Sequence, residues 1–174
     1  TPIDKTAKLV APRKLHPPQW GIICPSETPE GSSVGVVKNI AVGCMITITS
    51  STIPIETFLE NTSMVILLKN IKNPFDIRNA TKIFINGNWC ATTFYPKQIV
   101  EQSRHFKRSG YWNVYTGIYW NTLQNEIWYN CDGGRFVRPL FIVENGKLRI
   151  TPEHLRLKDW KQLIIHGWTQ NEEG

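Results

Sequence analysis

Prolines and glycines recur through the first 33 residues and exclude a long helix from that stretch. Each proline removes a backbone donor and fixes φ, so a helix cannot run through it. The apolar residues Leu15, Trp20, Ile22 and Ile23 are interspersed among them, as anchors that a flexible linker would not need. The pattern therefore predicts an ordered loop region with short strands. The residues concerned are Pro12, Pro17, Pro18, Gly21, Pro25, Pro29 and Gly31.

The residues that follow carry mostly strand patterns. Val34 to Ile48 is β-branched and apolar, and Met64 to Leu68 is a short apolar run. Both patterns are typical of strands. Pro54 to Glu60 is predicted to form a short helix, because proline is well tolerated in a first turn.

A hairpin and a helix are predicted next. Asn86-Gly87-Asn88 lies between the apolar runs 82–85 and 89–92, and Asn-Gly in that setting is the strongest short-range hairpin signal. Over residues 96–110 the apolar period becomes helical, and Gly110 is a stop signal. The residues predicted to share the buried helical face are Pro96, Ile99, Val100, Ser103 and Phe106.

After residue 111 the strand pattern returns, with tight turns at 131–134 and 145–146. A last helix is predicted from Thr151, as N-cap, to Gly167. The sum is an α+β fold with mainly antiparallel strands and hairpins and two or three short helices. The strands predicted in this part are 112–120, 124–130 and 136–144.

Charge and cysteine content limit the classes of partner and site. The chain has 20 Lys and Arg against 14 Asp and Glu, a net charge of +6, which permits a polyanionic partner without establishing one. No apolar run approaches the ~18 residues of a membrane helix, and Thr1 to Arg13 lacks a signal-peptide core, so no membrane partner is predicted. Cys24, Cys44, Cys90 and Cys131 form no C-x-x-C pair. This spacing supports no zinc site; reduced thiols are expected, with disulfides left open.

Generic catalytic signatures are missing from the sequence, which has no G-x-S-x-G, Walker or H-E-x-x-H motif, and its carboxylates are dispersed. Residues 13–39 are different. They read R-K-L-H-P-P-Q-W-G-I-I-C-P-S-E-T-P-E-G-S-S-V-G-V-V-K-N. This stretch closely resembles the fork region of the second-largest subunit of multisubunit DNA-dependent RNA polymerases, except for Val36, where the family usually has Leu. The matching positions are Arg13, Leu15, His16, Trp20, Gly21, Cys24, Pro25, Glu27, Thr28, Pro29, Glu30, Gly31, Gly35, Val37, Lys38 and Asn39.

A second resemblance extends over most of the remaining chain. Ile83 to Trp89 is similar to the family's V-F-V-N-G-x-W segment, and Phe106 to Gly110 to the helix end that follows it. Asp132 to Glu144 is similar to its D-x-G-R-x-x-R-P-L-F-I-V-E segment. The order and the spacing agree with the family. The details resemble the archaeal, eukaryotic and large-DNA-virus branch, and the many Asn, Ile and Lys residues hint at a viral member.

The resemblance implies two regions, the C-terminal part of the fork over 1–50 and the external domains over 51–174. It implies a part of a nucleotidyltransferase that is inactive by itself, with Mg²⁺ in the assembled enzyme held by residues outside this chain. The implied partners are the largest subunit and other polymerase subunits, the DNA template, the RNA transcript and the nucleoside triphosphate. The implied location is intracellular, in the nucleus, or in the cytoplasm or virion of a viral enzyme.

Five residues are expected near the nucleotide: Arg13, Lys14, His16, Glu27 and Glu30. The Arg13 guanidinium could bind a phosphate or carboxylate bidentately, or could only lock the loop through a pair with Glu30. His16 could donate to a phosphate or to the backbone. Glu30 matches the family glutamate close to the nucleotide site, where it would orient a cation or act through water. The residues expected to shape the motif are Trp20, Gly21, Pro29, Gly31, Lys38, Asp132, Arg135 and Arg138.

Two alternatives stay open at this point. A small basic domain could bind single-stranded nucleic acid through its tryptophans and the cationic turn at Arg104 to Arg108, without any catalytic role. The same cations could simply complement the end of the helix. Arg135 and Arg138 are expected to form structural ion pairs with neighbouring domains, and a polymerase piece with drifted fork residues is the third possibility.

Overall fold

The computed structural model describes residues 9–157 and residue 159. The chain divides into two compact units, Thr1–Val137 and Arg138–Gly174. The described part contains two α-helices, nine strands and several 3-10 helices, and the predicted α+β class is confirmed. In chain order the regular elements are β1 (Met45–Ile46), α1 (Ile53–Asn61), β2 (Val65–Leu67), β3 (Thr81–Ile85), β4 (Asn88–Thr93), α2 (Pro96–Arg108), β5 (Gly117–Asn121), β6 (Glu126–Asn130), β7 (Phe136–Val137), β8 (Val143–Glu144) and β9 (Lys147–Leu148).

The main sheet has five strands in the order β2-β4-β3-β6-β5. Adjacent strands in this sheet are antiparallel, except that β3 and β6 are parallel. The β3–β4 hairpin turns at Asn86 and Gly87, whose φ angles are 48° and 87°. Two successive positive φ values match the right-handed twist of the flanking strands, and the Asn-Gly prediction is confirmed.

One face of this sheet holds the core. Ile83 on β3 and Ile127 and Tyr129 on β6 are fully buried. Ile127 and Tyr129 share this face because alternate residues of a strand point to the same side. The two α-helices are the other source of core residues: α1 provides Ile55 and Leu59, and α2 provides Ile99 and Val100. Each fully buried aliphatic side chain contributes roughly 1.5–3 kcal/mol.

The second helix forms where its pattern predicts. Pro96 stands in its first turn, and Gly110, just past its end, has a φ of 80°, the left-handed geometry that glycine adopts without strain. Ser103, on the buried face, donates to the Ile99 carbonyl and bonds the Tyr129 hydroxyl, both at 2.7 Å. The predicted helix at 54–60 is likewise confirmed as α1.

The strand predicted over Val34 to Ile48 is largely wrong, because only β1 forms within it. The Val36 and Val37 amides donate back to Ser33, so local turns use the donors that a strand would have offered. The short strands predicted before residue 33 are also absent from the described residues. Instead 3-10 helices form at Ala11–Arg13, Pro17–Gln19 and Gly31–Ser33, and one isolated bridge joins Ile23 and Ile40.

Differences continue toward the C-terminus. The strand predicted over 112–120 begins only at Gly117, and the strand over 136–144 is two short pieces, β7 and β8. Pro139 lies between those pieces and cannot donate to a ladder. The Asn145-Gly146 turn joins β8 to β9 as predicted.

Within residues 151–157, the described start of the last predicted helix, no α-helix forms. A 3-10 helix forms at His154–Arg156, and Thr151, instead of capping an α-helix, bonds the His154 ring through its amide and its hydroxyl. Leu157 is extended. Gly167, where this helix was predicted to end, lies outside the described residues.

A hydrogen-bonded clasp ties the chain before α1 to the chain after β6. The Thr47 amide donates to the Arg135 carbonyl at 2.9 Å, and the Gly134 amide returns to the Thr47 carbonyl at 2.9 Å. Thr47 is buried, and its hydroxyl bonds the Asp132 carbonyl and the Arg135 amide. The Asp132–Gly134 turn therefore connects two sheets rather than two strands of one hairpin.

Candidate functional site

The Arg13 guanidinium braces the segment of residues 13–39 from within. Its Nη1 donates to the carbonyls of Ser32 at 2.8 Å and Val34 at 2.7 Å. Its Nε donates to the Leu9 carbonyl at 3.1 Å. Hydrogen bonds from a charged donor are stronger than neutral ones. Arg13 thus holds the loop, as the structural interpretation expects, but through backbone carbonyls.

Backbone contact and a lysine reinforce this brace. Gly35, with a φ of 69°, packs so closely on Arg13 that an added Cβ would stand 2.7 Å from the Arg13 Cα. Only glycine combines that φ with so close an approach at no steric cost. Lys38 donates from Nζ to the Pro12 carbonyl at 3.0 Å. This bond ties the C-terminal end of the segment to the residue just before Arg13.

Thr28 closes the loop on itself. Its hydroxyl accepts from the Gly35 amide at 2.8 Å and donates to the Val37 carbonyl at 3.0 Å. Residues 28–37, the closed loop, are therefore pinned at both ends by one side chain. The resemblance marks Thr28 only as a match. Its role was missed, because a threonine before a proline gives no sequence signal for partners seven and nine residues away.

Glu27, Glu30 and Lys14 are exposed. Glu30 precedes the 3-10 helix of the closed loop, and the next residue, Gly31, has a φ of 84°. Glu27 stands at the loop entrance, where its carbonyl accepts from the Asn39 side chain at 3.3 Å. The two carboxylates thus lie on one braced segment, with Glu30 inside the closed loop and Glu27 just before it.

Cys24 sits at the entrance to the same loop. Hydrogen bonds from the backbone of Ser26 and then Glu27 lower the pKa of its thiol, since backbone N–H donors favour the thiolate. The Glu27 amide lies 3.4 Å from the Cys24 sulfur. All four cysteines are free thiols. Burial acts oppositely at Cys90 and Cys131 and raises the pKa of each.

His16 and Trp20 flank a separate turn. The His16 ring contacts the Ala11 carbonyl through Nε2 at 3.1 Å. Of the two partners left open for His16, a phosphate or the backbone, this contact is with the backbone. Gly21 follows Trp20 with a φ of 71°. Of the four apolar residues predicted to anchor this region, Leu15 and Trp20 are 59% and 81% exposed, whereas Ile22 and Ile23 are half-buried.

Arg135 serves the clasp described above. It pairs with the Asp132 carboxylate at 3.1 Å and donates to the carbonyls of Tyr115 at 2.8 Å and Asn130 at 2.9 Å. These contacts lie within the first unit and not against a neighbouring domain. Arg138 belongs to the second unit, where it is exposed.

Trp112, Trp128 and Lys107, three residues that a nucleic-acid-binding module would use, do not share one surface. Trp112 is buried in the core, whereas Trp128 stacks on Phe84 at 4.5 Å. Trp128 lies on the opposite sheet face from its neighbour Tyr129, against which α2 packs. Lys107 turns inward to the Thr116 carbonyl at 2.7 Å, and desolvation lowers its pKa. Among the described residues, these three therefore do not combine into one nucleic-acid-binding surface.

Within 9–157 and 159, no group of three or more His, Cys, Asp or Glu side chains is arranged to hold a metal ion. None of the helices in that range is both long and apolar enough to span a membrane.

Comparison with known proteins gives matches over nearly the whole chain. The family model described as RNA polymerase Rpb2, domain 3, matches residues 1–46, and the model described as RNA polymerase Rpb2, domain 4, matches residues 83–144. The chain is 41% identical over 181 residues to DNA-directed RNA polymerase II subunit 2 of Arabidopsis thaliana, covering 98% of this chain and 15% of that protein.

Two other relatives, also RNA polymerase subunits, match most of the chain. Identity is 37% over 175 residues with DNA-directed RNA polymerase II subunit RPB2 of Encephalitozoon cuniculi, covering 98% of the chain and 15% of that protein. It is 36% over 152 residues with DNA-directed RNA polymerase III subunit RPC2 of Drosophila melanogaster, covering 87% and 13%. The chain thus spans 15% or less of the length of these relatives.

Proposed function

The chain belongs to the family of second-largest subunits of DNA-directed RNA polymerase, and from this premise we propose that it shapes the active centre beside the incoming nucleotide and the RNA–DNA hybrid during transcription. In this proposal residues 1–50 are the C-terminal part of the fork and residues 51–174 are the external domains. Acting in a nucleotidyltransferase, the chain by itself is inactive.

The closed loop that carries Glu30 is the observation that supports this role best. Nucleotide addition gathers phosphate charge at one place, and catalysis there depends on preorganised charged groups. Because Arg13, Lys38 and Thr28 already hold this loop in place, it needs little rearrangement when substrate binds. The Glu30 carboxylate is exposed, as a group that meets another subunit or a ligand must be.

The chemistry of a carboxylate limits what Glu30 does there. It cannot bind a phosphate directly, because both groups are anionic. It therefore orients an arginine or lysine of the active centre, or reaches the nucleotide or metal through water. Arg13, Lys14, His16 and Glu27 lie in the same vicinity in this proposal. Arg13 acts there chiefly by holding the loop.

The assembled enzyme supplies the rest of the chemistry. Residues outside this chain would hold Mg²⁺, which would supply charge neutralisation at the transferred phosphate. The partners are the largest subunit and other polymerase subunits, with DNA template, RNA transcript and nucleoside triphosphate. The location is intracellular, the nucleus for a cellular enzyme and the cytoplasm or virion for a viral one.

The test is a polymerase assembled with the Glu30→Ala subunit, assayed for single-nucleotide addition on a preformed RNA–DNA scaffold. We expect the rate to fall by about tenfold, which is about 1.4 kcal/mol in the barrier, with assembly intact. Glu101→Ala is the matched control, since Glu101 is exposed on α2 and makes only a 4.0 Å ion pair with Lys97. Equal rates for Glu30→Ala and wild type would refute the proposal.

The binding-module alternative makes a different prediction. The chain alone would then bind single-stranded nucleic acid, with affinity falling steeply as salt is added, because bound phosphates release counterions. The separation of Trp128 from the cationic end of α2 argues against it.

A further inference from the structure

We propose that Thr28 is a positioning residue for Glu30: its hydroxyl sets the width of the closed loop and thereby the place at which the carboxylate meets the active centre. This inference rests on the proposed function of Glu30. It assigns a role to a side chain that touches neither substrate nor metal.

The geometry makes one hydroxyl responsible for the loop closure. Thr28 accepts from the Gly35 amide and donates to the Val37 carbonyl, so it uses its single proton and one lone pair in two short bonds. Both partners are backbone groups on the returning arm. Glu30 lies two residues after the closure point, and its Cα cannot shift far while Thr28 stays bonded.

The other braces do a different task. Arg13 reaches Ser32 and Val34 from outside the loop, and so fixes where the loop lies relative to the preceding chain. Thr28 is within the loop and fixes its own shape. Glu30 thus stands between a point held by Thr28 and a point held by Arg13. Removing the Thr28 hydroxyl frees one of these points and leaves the other.

We expect the subunit to fold without the Thr28 hydroxyl, but Glu30 to lose its precise position. The three residues involved are outside the buried core, so water can satisfy the freed Gly35 amide and Val37 carbonyl. The loop can then widen. A misplacement of about 1 Å of a positioned group can cost about a hundredfold in rate, so even a partial shift of Glu30 is measurable.

The experiment compares assembled polymerases that carry Thr28→Val, Thr28→Ser or Thr62→Val. Valine keeps the shape and loses the hydroxyl, whereas serine keeps the hydroxyl. Thr62→Val is the matched control, because the Thr62 hydroxyl also donates to a backbone carbonyl, that of Phe58 at 2.7 Å, at the end of α1. Single-nucleotide addition is measured over a range of nucleoside triphosphate concentrations, to separate the maximal rate from the apparent affinity.

We expect Thr28→Val to lower the maximal rate about fivefold to tenfold, Thr28→Ser to restore it to within about twofold, and Thr62→Val to leave it unchanged. Adding Thr28→Val to Glu30→Ala should cause no further loss, since both changes disable one group. A maximal rate for Thr28→Val equal to wild type would overturn the inference. An equal fold-loss of maximal rate from Thr28→Val in the wild-type and the Glu30→Ala backgrounds would also overturn it.

The outcomes separate the two proposals. No effect of Glu30→Ala would refute the proposed function, whatever Thr28 does. A normal defect of Glu30→Ala with a silent or additive Thr28→Val would refute only the inference. If the Thr28→Val subunit does not assemble, Thr28→Ala replaces it. Failure of both to assemble while Thr28→Ser assembles would also overturn the inference, because the hydroxyl would then be needed for folding.

Discussion

Gly35 lies directly against the backbone of Arg13, and an added Cβ would stand 2.7 Å from the Arg13 Cα and 2.8 Å from its Cβ. Two chain segments twenty-two residues apart thus meet without any side chain between them. The contact brings the closed loop, residues 28–37, within reach of the Arg13 guanidinium, which then bonds Ser32 and Val34.

Gly35→Ala should open this loop more than Gly31→Ala does. Both glycines have positive φ, which costs an alanine about 1–2 kcal/mol. Only Gly35 has backbone within 4 Å of the added methyl, whereas Gly31 has none. We expect a further loss of about 1–3 kcal/mol at Gly35, measured as faster amide hydrogen exchange over residues 28–37. Equal exchange rates in the two variants would contradict the close contact.

Arg135→Ala should destabilise the whole first unit. Its guanidinium satisfies the Tyr115 and Asn130 carbonyls and pairs with Asp132, and losing these bonds costs about 2–3 kcal/mol. Urea unfolding of the chain, followed by tryptophan fluorescence, measures the loss. Arg104→Ala, at an exposed position on α2, is the control and should stay within about 0.5 kcal/mol. The prediction fails if both variants unfold at one urea midpoint.

Stability should fall at high pH because of Tyr129. Burial raises the pKa of this phenol from its ordinary 10.0 to about 12, against a smaller opposing effect of the Ser103 hydrogen bond. The folded state therefore retains a proton that the unfolded state loses between those values. The stabilisation is complete below pH 10 and disappears as pH rises through about 12. The full effect is roughly 2–3 kcal/mol.

Tyr129→Phe isolates this contribution from the lysines that titrate in the same range. We expect its unfolding free energy to fall less steeply than that of the wild type between pH 10 and 12, the interval given by the shifted pKa. Tyr119→Phe removes a phenol that is 58% exposed, and it should retain the wild-type slope. Parallel curves for Tyr129→Phe and the wild type would contradict the burial argument.

Local patterns predicted the elements that depend on neighbours in sequence. The Asn86-Gly87 hairpin, the α2 face of Ile99, Val100 and Ser103, and its end at Gly110 follow from spacing alone. Each needs only a few adjacent residues to select its backbone geometry. The strand predicted over Val34 to Ile48 failed, because apolar β-branched composition does not say whether a strand partner exists.

The candidate site was predictable only as a set of residues. The motif over residues 13–39 identifies Arg13 and Glu30 as important, and the resemblance supplies the family that the comparisons confirm. The structure shows Arg13 bonded to carbonyls of the loop, and its place beside the nucleotide stays a prediction. The carbonyls it bonds belong to residues nineteen and twenty-one positions away, which no spacing rule gives.

The sequence by itself determined the family, the α+β class, the hairpins and the helix faces, since short-range periodicity and turn residues encode them. Only the tertiary structure decided which groups the candidate site residues bond. It showed Arg13 as a brace, Thr28 as the closure of the loop and Arg135 as part of a clasp. These roles depend on hydrogen bonds between side chains and backbone groups distant in sequence. Every residue offers a backbone carbonyl and nearly every one an N–H, so the group that a side chain bonds is specified only when the whole chain folds.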